Sequence, residues 1–141
     1  LPAVRRGLDK AGRSIDDFLL QVNAIVITGE SEEEYRAAEN SVKGLLGFYA
    51  STPAYRPPME AVGLGELQPK LNALSKEGKW DQLGDYIDDE FHDAFCVRGE
   101  PGDIAAKLKA RYGEYADRLA IYAPYAASDA MWTGIVASLK S

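Results

Sequence analysis

Asp17-Phe18-Leu19-Leu20-Gln21-Val22-Asn23-Ala24-Ile25-Val26-Ile27-Thr28-Gly29-Glu30-Ser31-Glu32-Glu33-Glu34 reads as a buried strand that runs into a tight turn and then a capped helix. A near-continuous apolar strand needs cover on both faces, the habit of parallel sheets and barrels. A second strand of this kind, Asp117-Arg118-Leu119-Ala120-Ile121-Tyr122-Ala123-Pro124, follows after a long stretch of helical sequence. Two buried β/α units are too few for a closed barrel, which typically needs about 250 residues. The chain also begins at Leu1 rather than at Met. These features together predict a piece of a larger α/β protein.

Within the first strand the alternation of side chains separates two faces. Phe18, Leu20, Val22, Ala24 and Val26 form a wholly apolar face, expected to lie under helices. Leu19, Gln21, Asn23, Ile25 and Ile27 form the other, with two amides at its middle. In a barrel that second face fills the lumen, and buried amides there need hydrogen-bond partners. Those partners are expected on strands outside this chain.

The elements that follow alternate in the same βα rhythm. Upstream, Pro2 to Lys10 reads as a helix stopped by Gly12. Downstream of the strand, Ser31 and Glu34 make an S-x-x-E capping box, and Glu32 and Glu33 suit the positive end of the helix dipole. Tyr35, Ala38, Val42, Leu45, Leu46 and Tyr49 then recur at helical spacing, and the helix should end before Pro53. Thr52 to Pro58 is a stiff, turn-rich link. Shorter helices are predicted over Pro58 to Val62, Glu66 to Lys76 and Trp80 to Phe91, separated by Gly63, Gly65 and Gly78. Ala94 to Val97 reads as a short extended stretch, and Pro101 opens a helix through Arg111 that ends at Gly113.

Composition narrows the function classes. Apolar residues make up 46% and charged residues 27% of the chain, as in ordinary globular domains, which excludes disorder. A net charge of −6 with scattered Lys and Arg argues against nucleic acid, which requires clustered cations. No apolar run approaches the roughly 20 residues of a membrane span. The single cysteine, Cys96, fits a reducing, cytoplasmic setting.

Several short motifs, taken in order, resemble a known family. They are the Ala11-Gly12-Arg13 turn, the strand Val22 to Ile27, the link Ser51-Thr52-Pro53-Ala54-Tyr55-Arg56, the V-x-G-x-P-x-x-I turn (Val97, Gly99, Pro101, Ile104) and the strand Leu119 to Pro124. The chain resembles the C-terminal part of the luciferase-like monooxygenase superfamily, in its branch of coenzyme F-420 (deazaflavin) dependent oxidoreductases. The resemblance implies an α/β fold, the C-terminal portion of a (β/α)8 TIM barrel. Its parts would be a βα unit over 1–50, a mainly helical insertion over 51–116, and the last strand with a C-terminal helix over 117–141. It implies hydride transfer between a deazaflavin, or FMN, and a small organic substrate, with the chemistry at the C-terminal ends of the strands. Most of the family's cofactor contacts come from earlier strands, so the isolated chain is expected to be inactive.

Each candidate residue has a simpler structural reading beside the functional one. His92, the only histidine, can act as a general base, but among carboxylates at a helix end it more often caps or lies at the surface. Asp85, Asp88, Asp89, Glu90 and Asp93 suggest a hard-metal site, yet lack the spacing of a calcium loop; a solvated helix face is the simpler reading, and no metal is expected. Cys96, between Phe95 and Val97, reads as a small buried hydrophobe. Gly29-Glu30-Ser31 can hold an anion at a helix N-terminus, but the glutamates that follow repel phosphate, so capping is expected. Val97 to Ile104 is likewise a turn and helix start.

Tyr55 and Arg56, braced by Pro53, Pro57 and Pro58, can line a pocket mouth, or can anchor the link and pair with a surface acid. Tyr122 and Tyr125 flank Pro124, where a substrate wall is expected. Gln21 and Asn23 are cofactor-binding candidates, or lumen packing. No catalytic residue is assigned.

Two functional readings follow. One is a segment of a deazaflavin- or flavin-dependent oxidoreductase acting on a small molecule. The other is a non-catalytic helical interaction module on the same scaffold. In either case open strand edges invite self-association or pairing with the remaining barrel half.

Overall fold

The computed structural model describes residues 2–141; Leu1, and with it the reading of the chain's start, lies outside the described residues. Helix α1 (Pro2–Ala11) buries only Leu8, and a single 3-10 turn over Ile15–Asp17 leads toward the sheet. Strand β1 is Gln21–Ile27, shorter than the apolar run because Ser14 caps the turn that consumes its beginning.

Helix α2 (Glu32–Ser51) starts where the capping box places it. The Ser31 hydroxyl accepts from the Glu34 N–H at 3.2 Å. The Glu34 carboxylate reaches back one residue further than expected, to the Glu30 N–H at 2.8 Å. Beyond the 3-10 turn Pro53–Tyr55 lie α3 (Arg56–Glu60) and α4 (Leu67–Lys76). The helix expected from Trp80 to Phe91 is instead two elements: a 3-10 run over Trp80–Tyr86, then α5 (Asp89–Phe95). The break has a local cause, since the Asp88 carboxylate caps a new helix by accepting from the Phe91 N–H at 2.9 Å. Strand β2 (Cys96–Arg98), helix α6 (Pro101–Tyr112), strand β3 (Arg118–Tyr122) and helix α7 (Asp129–Lys140) complete the chain.

Among the described residues three strands form one parallel sheet in the order β2-β1-β3. The sequence reading counts two strands. The third is the stretch after Ala94, which pairs with the end of β1 through Ile25↔Cys96 to Ile27↔Arg98, so the segment from 51 to 116 enters the sheet rather than hanging outside it. β3 pairs with the other edge of β1, from Gln21↔Arg118 to Ile25↔Tyr122. The turn after β2 needs Gly99, whose φ of 151° few side chains adopt; its N–H donates to the Ile27 carbonyl at 3.2 Å.

Helices cover both faces of this open sheet. Ala24, Val26 and Val97 pack with Ile104 and Leu108 of α6 and Met131 and Ile135 of α7, so two members of the apolar face lie under helices as expected. On the opposite face Ile27 and Cys96 pack with Ala38, Val42 and Leu46 of α2, Leu71 of α4 and Phe91 of α5. There α2 comes unusually close to the 3-10 run. A Cβ on Gly47 would lie 2.8 Å from Leu83, so this contact depends on a missing side chain. The lumen expected around the amides Gln21 and Asn23 would need strands beyond these three. Both are exposed at the start of β1, and Gln21 donates to Asn23 at 3.2 Å; α2 covers the same face only further along.

Candidate functional site

Where α2 ceases to cover that face, a cavity of about 350 Å³ opens beside β1. Asn23 and Ile25 form its floor, Tyr49 and Tyr55 one wall, and Phe91 and Phe95 another. The prolines of the link position Tyr55 so that its ring stacks on Tyr49, with centroids 5.1 Å apart and planes at 30°. Phe91 and Phe95, one turn apart on α5, lie 4.8 Å apart. An apolar cavity of this size, with a single amide in its lining, suits a planar ring. Tyr122 neighbours Tyr49, and the closeness of its phenol raises the Tyr49 pKa.

A second cleft, of about 450 Å³, lies at the carboxyl ends of β1 and β2. Gly29, Glu30, Glu32, Tyr35, Gly99 and Glu100 line it. Three carboxylates, of which Glu32 is paired with Arg36 at 2.7 Å, and the lack of a basic residue in the lining disfavour a phosphate, even beside the N-termini of α2 and α6. The cofactors of deazaflavin and flavin enzymes carry both a ring and a phosphate. This chain's residues fit the ring in the apolar cavity and do not fit the phosphate in the strand-end cleft.

The fold separates the residues singled out from sequence. Tyr55 lines the ring cavity and Asn23 its floor. Arg56 points into ion pairs with Glu60 at 2.7 Å and Glu66 at 3.5 Å, the surface-acid alternative. Tyr122 is exposed at the end of β3. The Tyr125 hydroxyl is tied to the backbone: it donates to the Val26 carbonyl at 2.9 Å and accepts from the Thr28 N–H at 3.1 Å. Burial pushes its phenol up to about 12. Cys96 is buried, and burial likewise pushes its thiol up to about 12, so it packs as an inert hydrophobe.

The acidic stretch has individual duties. Asp88 caps α5, while Asp89 and Asp93 clasp Arg98 at 2.6 and 2.8 Å. Arg98 holds the Asp89 carboxyl below its usual range. Asp85 and Glu90 are exposed. The basic residues of α6 are similarly occupied: Lys107 donates to the Arg98 carbonyl at 2.8 Å, and Arg111 to the carbonyls of Asp93, Ala94 and Cys96 at the end of α5.

His92 departs most from expectation. It is buried, not a surface cap; neither ring nitrogen has a hydrogen-bond partner, and burial lowers its pKa. Its Nδ1 lies 3.8 Å from Glu39 on α2. Glu39, fifty-three residues earlier by the numbering, carries no signal in sequence on its own. The spacing Asp89-x-x-His92, which puts two ligands on one helix face, is the only hint.

No helix among the described residues is long and apolar enough to cross a membrane. The sequence model of the luciferase-like monooxygenases matches residues 1–118. The chain is 40% identical over 119 residues to an uncharacterized protein of Mycobacterium bovis and to uncharacterized proteins of two Mycobacterium tuberculosis strains. Each alignment covers 84% of this chain and 35% of the relative, so the chain spans about a third of the length of the curated relatives it matches.

Proposed function

We infer a function from one premise: the chain belongs to the luciferase-like monooxygenase family. It forms the ring-facing wall of an oxidoreductase that moves a hydride between coenzyme F-420 (deazaflavin), or FMN, and a small organic substrate. The order of short motifs from Ala11 to Pro124 supports deazaflavin over FMN. The observation that carries the reading is the stacked Tyr49–Tyr55 wall across from Phe91 and Phe95. The bound cofactor supplies the hydride chemistry; this chain's aromatic residues orient the ring and keep water from it. The phosphate end requires cations that the strand-end cleft lacks, so it belongs to another part of a protein of the relatives' length.

In that longer protein the sheet is a portion of a (β/α)8 barrel. There β1 and β3 would be consecutive barrel strands, side by side as they are here, with β2, from the segment between them, on the other edge of β1.

The test is a fluorescence titration of a full-length protein carrying this sequence with deazaflavin and FMN, before and after Tyr55→Ala. Tyr55 is exposed, so its loss leaves the core intact. The reading predicts that Tyr55→Ala weakens ring binding by roughly two- to twelvefold, the value of one aromatic contact of about 0.5–1.5 kcal/mol. Full-length protein that binds neither cofactor overturns the oxidoreductase reading in favour of an interaction module.

A further inference from the structure

We propose that Glu39, Asp89 and His92 form a binding site for a divalent transition-metal cation of the Zn²⁺ or Co²⁺ kind, a staple between α2 and α5. One ligand atom from each lies within 4.8 Å of the others. Two independent facts point to a ligand there. The first is the donor set: one imidazole and two carboxylates, which suits borderline cations and not calcium or magnesium, whose ligands are all oxygen. The second is His92 itself, with no solvent exposure, no partner on either nitrogen, and Nδ1 turned toward Glu39. Buried polar atoms are paired in nearly all native structures, and an unpaired imidazole beside two carboxylates is suited to ligate a cation.

The geometry is within reach of coordination. Ligands of one zinc ion sit about 2.1 Å from it, hence roughly 3.4 Å from each other, so donors now within 4.8 Å of one another must close by up to about 1.4 Å. Asp89, with 81% of its side chain exposed, is free to rotate inward, and Glu39 is only partly buried. Two cations now occupy the carboxylates: Lys43 lies 3.7 Å from Glu39 and Arg98 2.6 Å from Asp89. Arg98 retains Asp93 when Asp89 turns away. Competition from both cations makes the affinity moderate and makes it tunable from outside the ligand set. Solvent at Asp89 completes the coordination sphere.

The test is titration of the untagged, metal-free protein with Co²⁺, read by visible absorption and by melting temperature. A saturable band at one ion per chain, with a rise in melting temperature, is expected. Asp89→Asn, exposed and so harmless to folding, should weaken binding by at least about tenfold, the scale on which even outer-shell partners act. Lys43→Gln should tighten binding by freeing Glu39, and Asp85→Asn, an exposed acid outside the set, should leave it unchanged. His92→Gln should abolish the band; if that variant does not fold, Asp89→Asn and Lys43→Gln decide the matter. The proposal is overturned by the absence of a saturable band, or by a band that survives Asp89→Asn.

Discussion

The Tyr125 hydroxyl donates to the Val26 carbonyl and accepts from the Thr28 N–H, on the edge of β1 where β3 has already ended. Backbone groups of a strand alternate in direction, and Ile27 uses its carbonyl for Gly99 on the β2 side. Val26 and Thr28 therefore face the β3 side with no strand left to meet them. One phenol replaces two rungs of the ladder.

Tyr125→Phe keeps the ring and strands both backbone groups. Leaving part-buried polar groups unpaired costs about 1–3 kcal/mol. Urea unfolding should show a lower midpoint with an unchanged slope. A midpoint equal to that of the parent would mean that solvent already satisfies Val26 and Thr28.

The same phenol and Cys96 make stability sensitive to alkali. Both groups are neutral when protonated, and burial raises both to about 12 from ordinary values of 10.0 and 9.0. The folded chain thus holds protons that the unfolded chain releases earlier. Their contribution is fully present below about pH 9 and is lost as pH rises through 12. Melting temperature should fall steadily between those limits, less steeply in Tyr125→Phe. A flat profile across that range would refute this linkage.

The open edges of β2 and β3, with Leu19 64% exposed nearby, are poised to pair with further strands. On the barrel reading proposed above, further strands would take those edges in a longer protein; in the isolated chain a second copy can. Sedimentation velocity should show the 141-residue chain partly dimeric at micromolar concentration. A monomer throughout the range would show that the edges are blocked.

Local chemistry was the legible part of the sequence. Ser31 and Glu34, Pro53, Pro101 and Gly99 act through neighbours within a few residues, and each starts, stops or turns an element close to where it stands. What eluded the reading depends on contacts distant along the chain. Cys96 to Arg98 was legible only as the short extended stretch Ala94 to Val97, and pairing with Ile25 to Ile27 makes it a strand of the sheet. Alternation puts Gln21 and Asn23 on one face without saying what covers it; in this chain α2 covers that face only further along the strand. Tyr55 was legible because prolines brace it locally. Its partner Tyr49 looked like one more apolar position on a helix. His92 and Glu39 meet only when α5 packs beside α2.

The most direct test of the functional account compares riboflavin with FMN, two ligands that share a ring and differ by a phosphate. Fluorescence quenching of each is measured against the 141-residue chain alone. The apolar cavity and the acidic cleft predict weak binding of both, with riboflavin at least equal to FMN and both reduced by Tyr55→Ala. FMN binding more than about tenfold tighter than riboflavin, a difference near 1.4 kcal/mol, would mean that this chain holds the phosphate and would contradict the account.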